Sequence, residues 1–457
     1  MDIYQKLITK LGKAKISFDK DVLEKYAQDR YKDLVSYPDV VVFPDCEDDI
    51  KIILDFANTN KVPLTPRGAG TNSTGSATPV QKGILVSFEH MNKILELDEQ
   101  NKIIIVGPGI ITGDIQKAVE EKGLYYPPDP SSLDECTIGG NIATNAGGAR
   151  ALKYGVTRNF VLGLEGYFAN GTKFKFGGKQ IKQAVGYNIL NLLIGSEGTL
   201  GIITKIYLKL INLPKFTQDL LIMTPCFSDA ISAFNTITNA KLELSSAEFM
   251  DKFCIETANK YLNKHFLDDK SFGILLQLEG NEEDILEKNL ETIAEICDKL
   301  KIENIFVAES KKQKEELWET RRCLADAFKE LYAQKTSFDI VVPPTEIGKY
   351  MDFIHDLDSK SRLTILGFGH LGDGNIHVNV VQKELDQRTW DQEIETLTLK
   401  ILKNAVALGG TISGEHGIGL TKKPYLNLVY TEKEIALFRQ IKMVFDPNDI
   451  LNPGKIV

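Results

Sequence analysis

The chain has 457 residues, enough for two or three domains each with its own core, which excludes a single-module protein. Hydrophobic residues make up 43% and charged residues 26%, the balance of a folded globular chain and unlike a disordered, fibrous or membrane-embedded one. A formal net charge of −9 argues against a nucleic-acid partner, whose phosphates call for a basic surface, and leaves small-molecule chemistry.

Residues 1 to about 35 read as a helical lead-in, followed by a strand over Val40 to Phe43 and a helix from Glu47 to Asn58 with apolar residues at helical spacing. From Gly83 to Val106 the pattern becomes two β-rich runs, ILVSF and IIIVG, joined through Asp98 to Asn101. Asn170-Gly171 marks a hairpin between YFA and KFKF. The run LGIITKIYLKLINLPK ends near Pro214, where a polar connection starts a new series of elements. Beyond it, strand-like LLIM, SAEFM and FGILLQLEG alternate with helix-like SDAISAFNTITNA and NEEDILEKNLETIAEICDKL, which predicts an antiparallel sheet with helices on one face. Such a layer would cap a ligand held by the first domain. The final stretch has a helix from Glu432 to Phe445 and a Pro/Asn/Gly-rich tail expected to pack back onto the first domain.

Six cysteines, at positions 46, 136, 226, 254, 297 and 323, are far apart with no C-x-x-C pair, which predicts reduced thiols and no zinc or iron–sulfur cluster. The N-terminal twenty residues lack the apolar core of a signal peptide, and no stretch has the length and apolarity of a spanning helix. A cytoplasmic protein is expected; peripheral docking at the inner face of the membrane and a homodimer stay open.

Residues 66–75, PRGAGTNSTG, place three glycines and three hydroxyl side chains directly after the β-like VPLT. Glycine lets the backbone approach a pyrophosphate without a Cβ in the way, and consecutive amide donors form a nest for its oxygens. The spacing departs from G-x-G-x-x-G because position 73 is serine, which disfavours nicotinamide binding. Two further loops, TIGGNIATNAGG (137–148) and GSEGTLG (195–201), repeat the chemistry. Each alone could be a tight turn demanding positive φ; together the three point to a large diphosphate cofactor.

PRGAGTNSTG, YPPDPSS, TIGGNIATNAGGARALKYGVTRN and LLIGSEGTLGIIT, in this order and spacing, resemble the flavin-binding domain of the vanillyl-alcohol-oxidase (PCMH-type) FAD oxidases. Within that group the chain is most similar to the D-lactate dehydrogenases and the flavin subunit of glycolate oxidase, and is similar to D-2-hydroxyglutarate dehydrogenase, from about residue 35 to the end. The resemblance implies an α+β fold in four parts: the lead-in 1–35, a two-subdomain PCMH-type FAD-binding domain over 36–213, an antiparallel-sheet substrate (cap) domain over 214–430, and a C-terminal segment, 431–457, returning to the FAD domain. By residue-wise transfer Arg67, Gly68, Ala69, Gly70, Thr71 and Asn72 would hold the diphosphate, with Gly139, Gly140 and Asn141. Pro128, Asp129, Ser131, Thr144, Gly147, Gly148, Glu197 and Ile202 would line the flavin. Some members attach FAD through a histidine in or near the first loop; this loop has none, so noncovalent FAD is expected, and His90 is read as a surface or packing residue.

Residues 365–381, ILGFGHLGDGNIHVNVV, put His370 and His377 on either side of a Gly-Asp-Gly-Asn turn, and period-two alternation sets His377 and Asn379 on the face opposite Ile376, Val378 and Val380. In TISGEHGIG (411–419), Glu415 and His416 stand between glycines. Two imidazoles and a carboxylate leave coordination positions open, so His370, His377 and Glu415 are assigned to one divalent cation: zinc, manganese or ferrous iron. The competing reading is two satisfied core histidines and a surface acid; GHLGDGNIH and SGEHGIG resemble the family's metal motifs. A 2-hydroxy acid would chelate that cation, and His416, adjacent to a ligand, would be the general base, the alternative being a donor behind the site. The family's motif has a substrate-carboxylate arginine after a tryptophan on a helix, and ELWETRR offers Arg321, with Arg322 its solvent-facing neighbour. Asn375 either adds a polar contact near the metal or serves the turn. Where D-2-hydroxyglutarate dehydrogenase has a lysine before an aromatic-Asp pair, this chain has Ser337 before Phe338-Asp339, which favours D-lactate, then glycolate, over a dicarboxylate.

Three other readings compete: a non-oxidative flavoenzyme like the ether-lipid synthases, a flavin-free metallohydrolase, and a non-catalytic electron-transfer subunit. With no cluster cysteines and no dinucleotide fingerprint, electrons would leave to an external acceptor: a quinone, a cytochrome, an iron–sulfur subunit or an electron-transferring flavoprotein.

Overall fold

The computed structural model describes residues 3–264, 267–268, 270–382, 384 and 386–457. Two units divide the chain: the first contains the residues up to Gly148, Gly155–Leu213 and Glu415–Val457, the second Ala149–Tyr154 and Pro214–Gly414.

In the first unit β1 (Ile16–Ser17), β2 (Val40–Val42), β3 (Leu64–Arg67) and β4 (Ile84–Ser87) form a sheet ordered β1-β2-β4-β3. Strands β2, β4 and β3 run parallel, so β2 and β3 need a crossover, and helix Glu47–Asn60 supplies it. Ile50, Ile53, Leu54 and Ala57 on that helix pack with Val40, Val42, Ile84 and Val86. The N-terminal segment is more than a helical lead-in: between the short helices Gln5–Leu11 and Lys20–Lys25, β1 pairs antiparallel with β2. Two residues are too few to show a period, which is why the strand has no signature in the sequence.

Strands β5 (Ile94–Asp98), β6 (Ile103–Val106), β7 (Leu124–Tyr125), β8 (Val161–Tyr167), β9 (Lys173–Gly177), β10 (Ile202–Lys209) and β11 (Ile211–Asn212) follow. Five make an antiparallel sheet ordered β5-β6-β10-β8-β9, while β7 pairs with β11. The Asn170-Gly171 turn joins β8 to β9, with Gly171 at φ +77° and its N–H donating to Phe168 O. The chain rejoins this unit at Glu415, earlier than the expected Thr431. Its tail is then sewn in: Leu451 bridges Leu64, Asn452 Nδ2 donates to Ser76 O and Glu197 O, both at 2.8 Å, and Lys455 Nζ donates to Gly75 O and Thr78 O.

The second unit is built on β12 (Phe216–Thr224), β13 (Leu244–Met250), β14 (Phe272–Gly280), β15 (Asn304–Val307), β16 (Gln334–Val341), β17 (Thr364–His370) and β18 (Asn375–Gln382). They form one antiparallel sheet ordered β15-β12-β14-β13-β17-β18-β16. Helices cover both faces, not one. Phe249 meets Phe227 of helix Phe227–Asn239, whereas Leu221, Leu275 and Phe368 pack with Trp318 and Phe328 of helices Lys311–Arg322 and Leu324–Leu331. The strands show the reason: β13 is buried throughout and β14 nearly so, as near-continuous apolar or small-residue runs require. The insert Ala149–Tyr154 belongs here, tied by Tyr154 Oη donating to Glu279 at 2.6 Å and by Arg150, 3.8 Å from the same carboxylate. Among the described residues no helix is long and apolar enough to cross a membrane.

Asn452 is 1% exposed and is the donor to two carbonyls. Asn452→Ala removes that donor, so the variant is expected to lose about 1–3 kcal/mol of stability. Denaturant or thermal unfolding followed by circular dichroism checks it; an unchanged midpoint would mean that the tail is not held by this side chain.

Candidate active site

The first glycine-rich loop leaves β3 at Arg67. Gly70 takes φ +73°, and the N–H groups of Ala69, Gly70 and Thr71 have no protein acceptor among the described residues, so they are available to an anion. A Cβ on Gly68 would lie 2.2 Å from Thr137 Oγ1, so this loop is pressed against the second one. There Thr137 caps helix Ile138–Thr144, with Gly139 and Gly140 half-exposed in its first turn. Cβ-free backbone and the open donors of Ala69, Gly70 and Thr71 fit a diphosphate, whereas Gly139 N–H donates to Pro108 O at 2.9 Å and Gly140 N–H to Thr137 Oγ1 at 3.4 Å.

Three side chains expected at that diphosphate are committed elsewhere. Arg67 is 8% exposed, donates to Gln28 O at 2.8 Å and lies under Gly70, where a Cβ would be 2.1 Å from its Nη2. Asn141 Nδ2 donates to Thr112 Oγ1 at 2.8 Å, and Asn72 Nδ2 to His416 O at 2.7 Å. The amides of Ala69, Gly70 and Thr71, not these three side chains, are the open donors of the two loops. Of the residues expected along the flavin, Gly148 lies against Asp129, whose carbonyl would be 2.4 Å from a Cβ, and Pro128 O accepts from Gln116. Thr144 Oγ1 donates to Gly140 O, and Ser131 is exposed. Ile202 is 2% exposed inside the apolar core, so its side chain is not at a loop surface. In the third loop the Ser196 and Thr199 hydroxyls donate to the carbonyls of Leu193 and Ser196. His90 meets Asp45 at 3.0 Å and stacks on Phe43 at the surface.

Glu415 and His416 belong to this unit. Glu415 lies against Gly147, where a Cβ would be 2.6 Å from its Oε2, and the two side chains approach to 3.9 Å. Burial pushes the nearby Glu197 carboxyl up to about 7, opposed by backbone N–H groups of Ile418 and Gly419.

In the second unit the sheet face under helix Lys311–Arg322 carries a different constellation. Register sets Glu248 beside His370, Phe368 beside His377 and Asp339 beside His377. His370 Nδ1 lies 2.5 Å from Glu248 Oε1, a contact that fixes the orientation of the ring. The two imidazole centroids are 5.4 Å apart. Arg321 Nη2 donates to Glu248 Oε2 at 2.7 Å, and the guanidinium lies 4.6 Å over the Phe368 ring. Its Nε is buried with no partner among the described residues. Arg322 is exposed, stacked over Trp318. Asn375 Nδ2 donates to Asp339 Oδ1 at 2.8 Å and to Ile340 O, which makes it a turn anchor in the acid's shell. Asp339 Oδ2 accepts Gly414 N–H at 3.0 Å, one peptide bond before Glu415, and its Oδ1 lies 3.8 Å from His377 Nδ1.

Residues 38–177 match the FAD binding domain family, and 213–456 match the C-terminal domain of FAD linked oxidases. The chain belongs to the FAD-linked oxidase family. This FAD-linked oxidase is 38% identical to glycolate oxidase subunit GlcD of Bacillus subtilis (strain 168), covering 94% of this chain and 91% of that protein. It is 35% identical to a D-lactate dehydrogenase of Anaerostipes hadrus, covering 92% and 89%. The structure of p-cresol methylhydroxylase with substrate bound superposes with a TM-score of 0.81 at 16% identity, over 99% of this chain and 96% of that one, which gives the PCMH-type fold. The protein is an FAD-dependent oxidoreductase.

Sequence reasoning missed Glu248 and took Asp339 only as a marker beside Ser337. A signal existed for the first: SAEFM sets one acid in a short strand otherwise of small and apolar residues, and an acid buried there demands a cationic partner. Burial raises the Glu248 pKa, but His370 and Arg321 outweigh it and hold the carboxyl below its ordinary value of 4.5. The ionised form therefore contributes stability above pH 4.5 that is lost as pH falls through the lowered value. Glu248→Gln is expected to unfold at lower temperature than the native chain at pH 7 and to show a flatter decline below pH 4.5. Parallel melting curves against pH would refute an ionised Glu248.

Proposed function

We propose that this oxidase is a dehydrogenase of a small D-2-hydroxy acid, D-lactate first and glycolate next, yielding the 2-oxo acid. The observation that carries the reading is Arg321: a buried guanidinium with one edge neutralised by Glu248 and an Nε–H left for a carboxylate. The relatives named glycolate oxidase subunit and D-lactate dehydrogenase support the same substrate class.

FAD held noncovalently by the backbone of Gly68 to Thr71 with Gly139 and Gly140 supplies the acceptor for the hydride from the α-carbon. A divalent cation, zinc, manganese or iron, held by His370, His377 and Glu415 supplies Lewis acidity toward the substrate hydroxyl. These donors fit such an ion: Glu248 takes His370 Nδ1 and fixes the ring, while Asp339 stands beside His377. Arg321 binds the carboxylate, and His416 takes the hydroxyl proton onto an imidazole nitrogen. Ser337, its hydroxyl donating to Asn379 Oδ1 at 2.6 Å, offers no cation for a second carboxylate. Electrons then pass to an external quinone, cytochrome, iron–sulfur subunit or electron-transferring flavoprotein.

Dye reduction by the FAD-loaded protein is expected with D-lactate and glycolate, weakly or not at all with L-lactate and D-2-hydroxyglutarate, and is expected to disappear on chelation. D-2-hydroxyglutarate as the best substrate would overturn the assignment from Ser337, and no flavin reduction by any of the four would remove the substrate class. His416→Ala should lower the rate of flavin reduction by roughly 100- to 10,000-fold.

A further inference from the structure

We propose that Glu197 is a positioning residue whose carboxylate clasps the loop from His416 to Gly419 and so sets the orientation of the His416 imidazole; this rests on His416 being the base. The resemblance made Glu197 a flavin-lining side chain, but both its oxygens are occupied. Oε1 accepts the Ile418 N–H at 2.7 Å and Oε2 the Gly419 N–H at 2.9 Å.

Glu197 is itself rigidly held. It takes φ +50°, unusual for a residue with a side chain, and its N–H donates to Ala143 O at 2.8 Å while its carbonyl accepts from Asn452 at 2.8 Å. The loop is shaped to receive it. Gly417 takes φ +81°, and a Cβ there would lie 2.7 Å from Glu197 Oε1, so only glycine lets the carboxylate reach the next two amides. From the other side Asn72 Nδ2 donates to His416 O at 2.7 Å, and Leu420 N–H donates to Thr74 O at 2.8 Å.

The backbone from His416 to Leu420 is thus bonded to two of the glycine-rich loops, all within the first unit. The His416 side chain remains 37% exposed. Its backbone is registered against the loops expected around the flavin, and a general base needs that registration because a displacement near 1 Å lowers rates by about 100-fold. Burial at 5% exposure means that Glu197 has little water to replace lost partners, so one weakened bond is felt by the loop.

The test uses FAD-loaded protein. Glu197→Gln keeps the shape but turns an NH2 toward one of two N–H donors; Glu197→Asp keeps both oxygens on a shorter stem. By hydrogen exchange and mass spectrometry, the Ile418 and Gly419 amides are expected to exchange on the order of tenfold faster in Glu197→Gln. With D-lactate, the limiting rate of flavin reduction is expected to fall about 100-fold while flavin content and absorbance stay as in the native protein. In the His416→Ala background Glu197→Gln should add no further loss, the sign of action through one group. Unchanged exchange, or losses that multiply in the double variant, overturns the clasp. An unaltered rate in His416→Ala alone overturns the base assignment and leaves the exchange result to decide Glu197. If Glu197→Gln does not retain flavin, Glu197→Asp carries the same measurements, with faster exchange supporting the clasp and native exchange refuting it.

Discussion

A carboxylate removed from water has to be met by donors or cations, and that constraint organises the functional parts of both units. Glu248, Asp339 and Glu197 are 1%, 0% and 5% exposed. Each is compensated by groups on segments that carry chemistry. Glu248 takes Arg321 and His370; Asp339 takes Asn375, Ser413 and Gly414; Glu197 takes Ile418 and Gly419. The same hydrogen bonds that make burial of these acids tolerable also hold Arg321, His370 and the loop after His416 in place.

Magnitudes separate these pairs from the rest of the charge pattern. Lys51–Asp55 and Lys360–Asp356 are solvent-exposed pairs one helical turn apart, whose attraction water largely screens. Removing one partner of a buried pair such as Arg321–Glu248 costs about 3–5 kcal/mol, because the other charge is left unmatched. Brittleness is therefore concentrated at the Glu248–Arg321 cluster. If Arg321 binds substrate as proposed, substitutions at Glu248 affect folding and chemistry together, and spectroscopic or pH-resolved measurements separate the two.

Much of the fold was legible because it is periodic. The helix from Glu47 was found by its apolar spacing and the β8–β9 hairpin by Asn170-Gly171. The polar break at Pro214 is where the second unit resumes. Strand β1 escaped because it is two residues long, and the second helical layer escaped because continuous burial of β13 and β14 leaves no alternation to assign to one face. Among the candidate residues, His370, His377, Glu415, His416 and Arg321 stood out through rare residue types in glycine-flanked or tryptophan-flanked motifs. What the motifs could not carry was direction. Arg67 and Asn72 have the composition of phosphate ligands, yet their partners, Gln28 and the backbone of His416, are set by tertiary packing.

The segment 411–419 brings these threads together. In the second unit Thr411 bridges Val341 and Ser413 bridges Asp339, and Gly414 is so confined that a Cβ would lie 2.7 Å from Asn375 Nδ2. In the first unit the hold resumes at His416 through Asn72 and at Ile418 and Gly419 through Glu197. Glu415 therefore sits between anchors one residue away on each side. A chain tied so closely at both ends has few backbone conformations left, so most of the ordering entropy of Glu415 and His416 is already spent on folding. Under the proposed reaction these two groups would need little reorganisation. The glycines at 414, 417 and 419 are the means: Gly417 and Gly419 supply the positive φ, and Gly414 the absent Cβ, that let both anchors reach the loop.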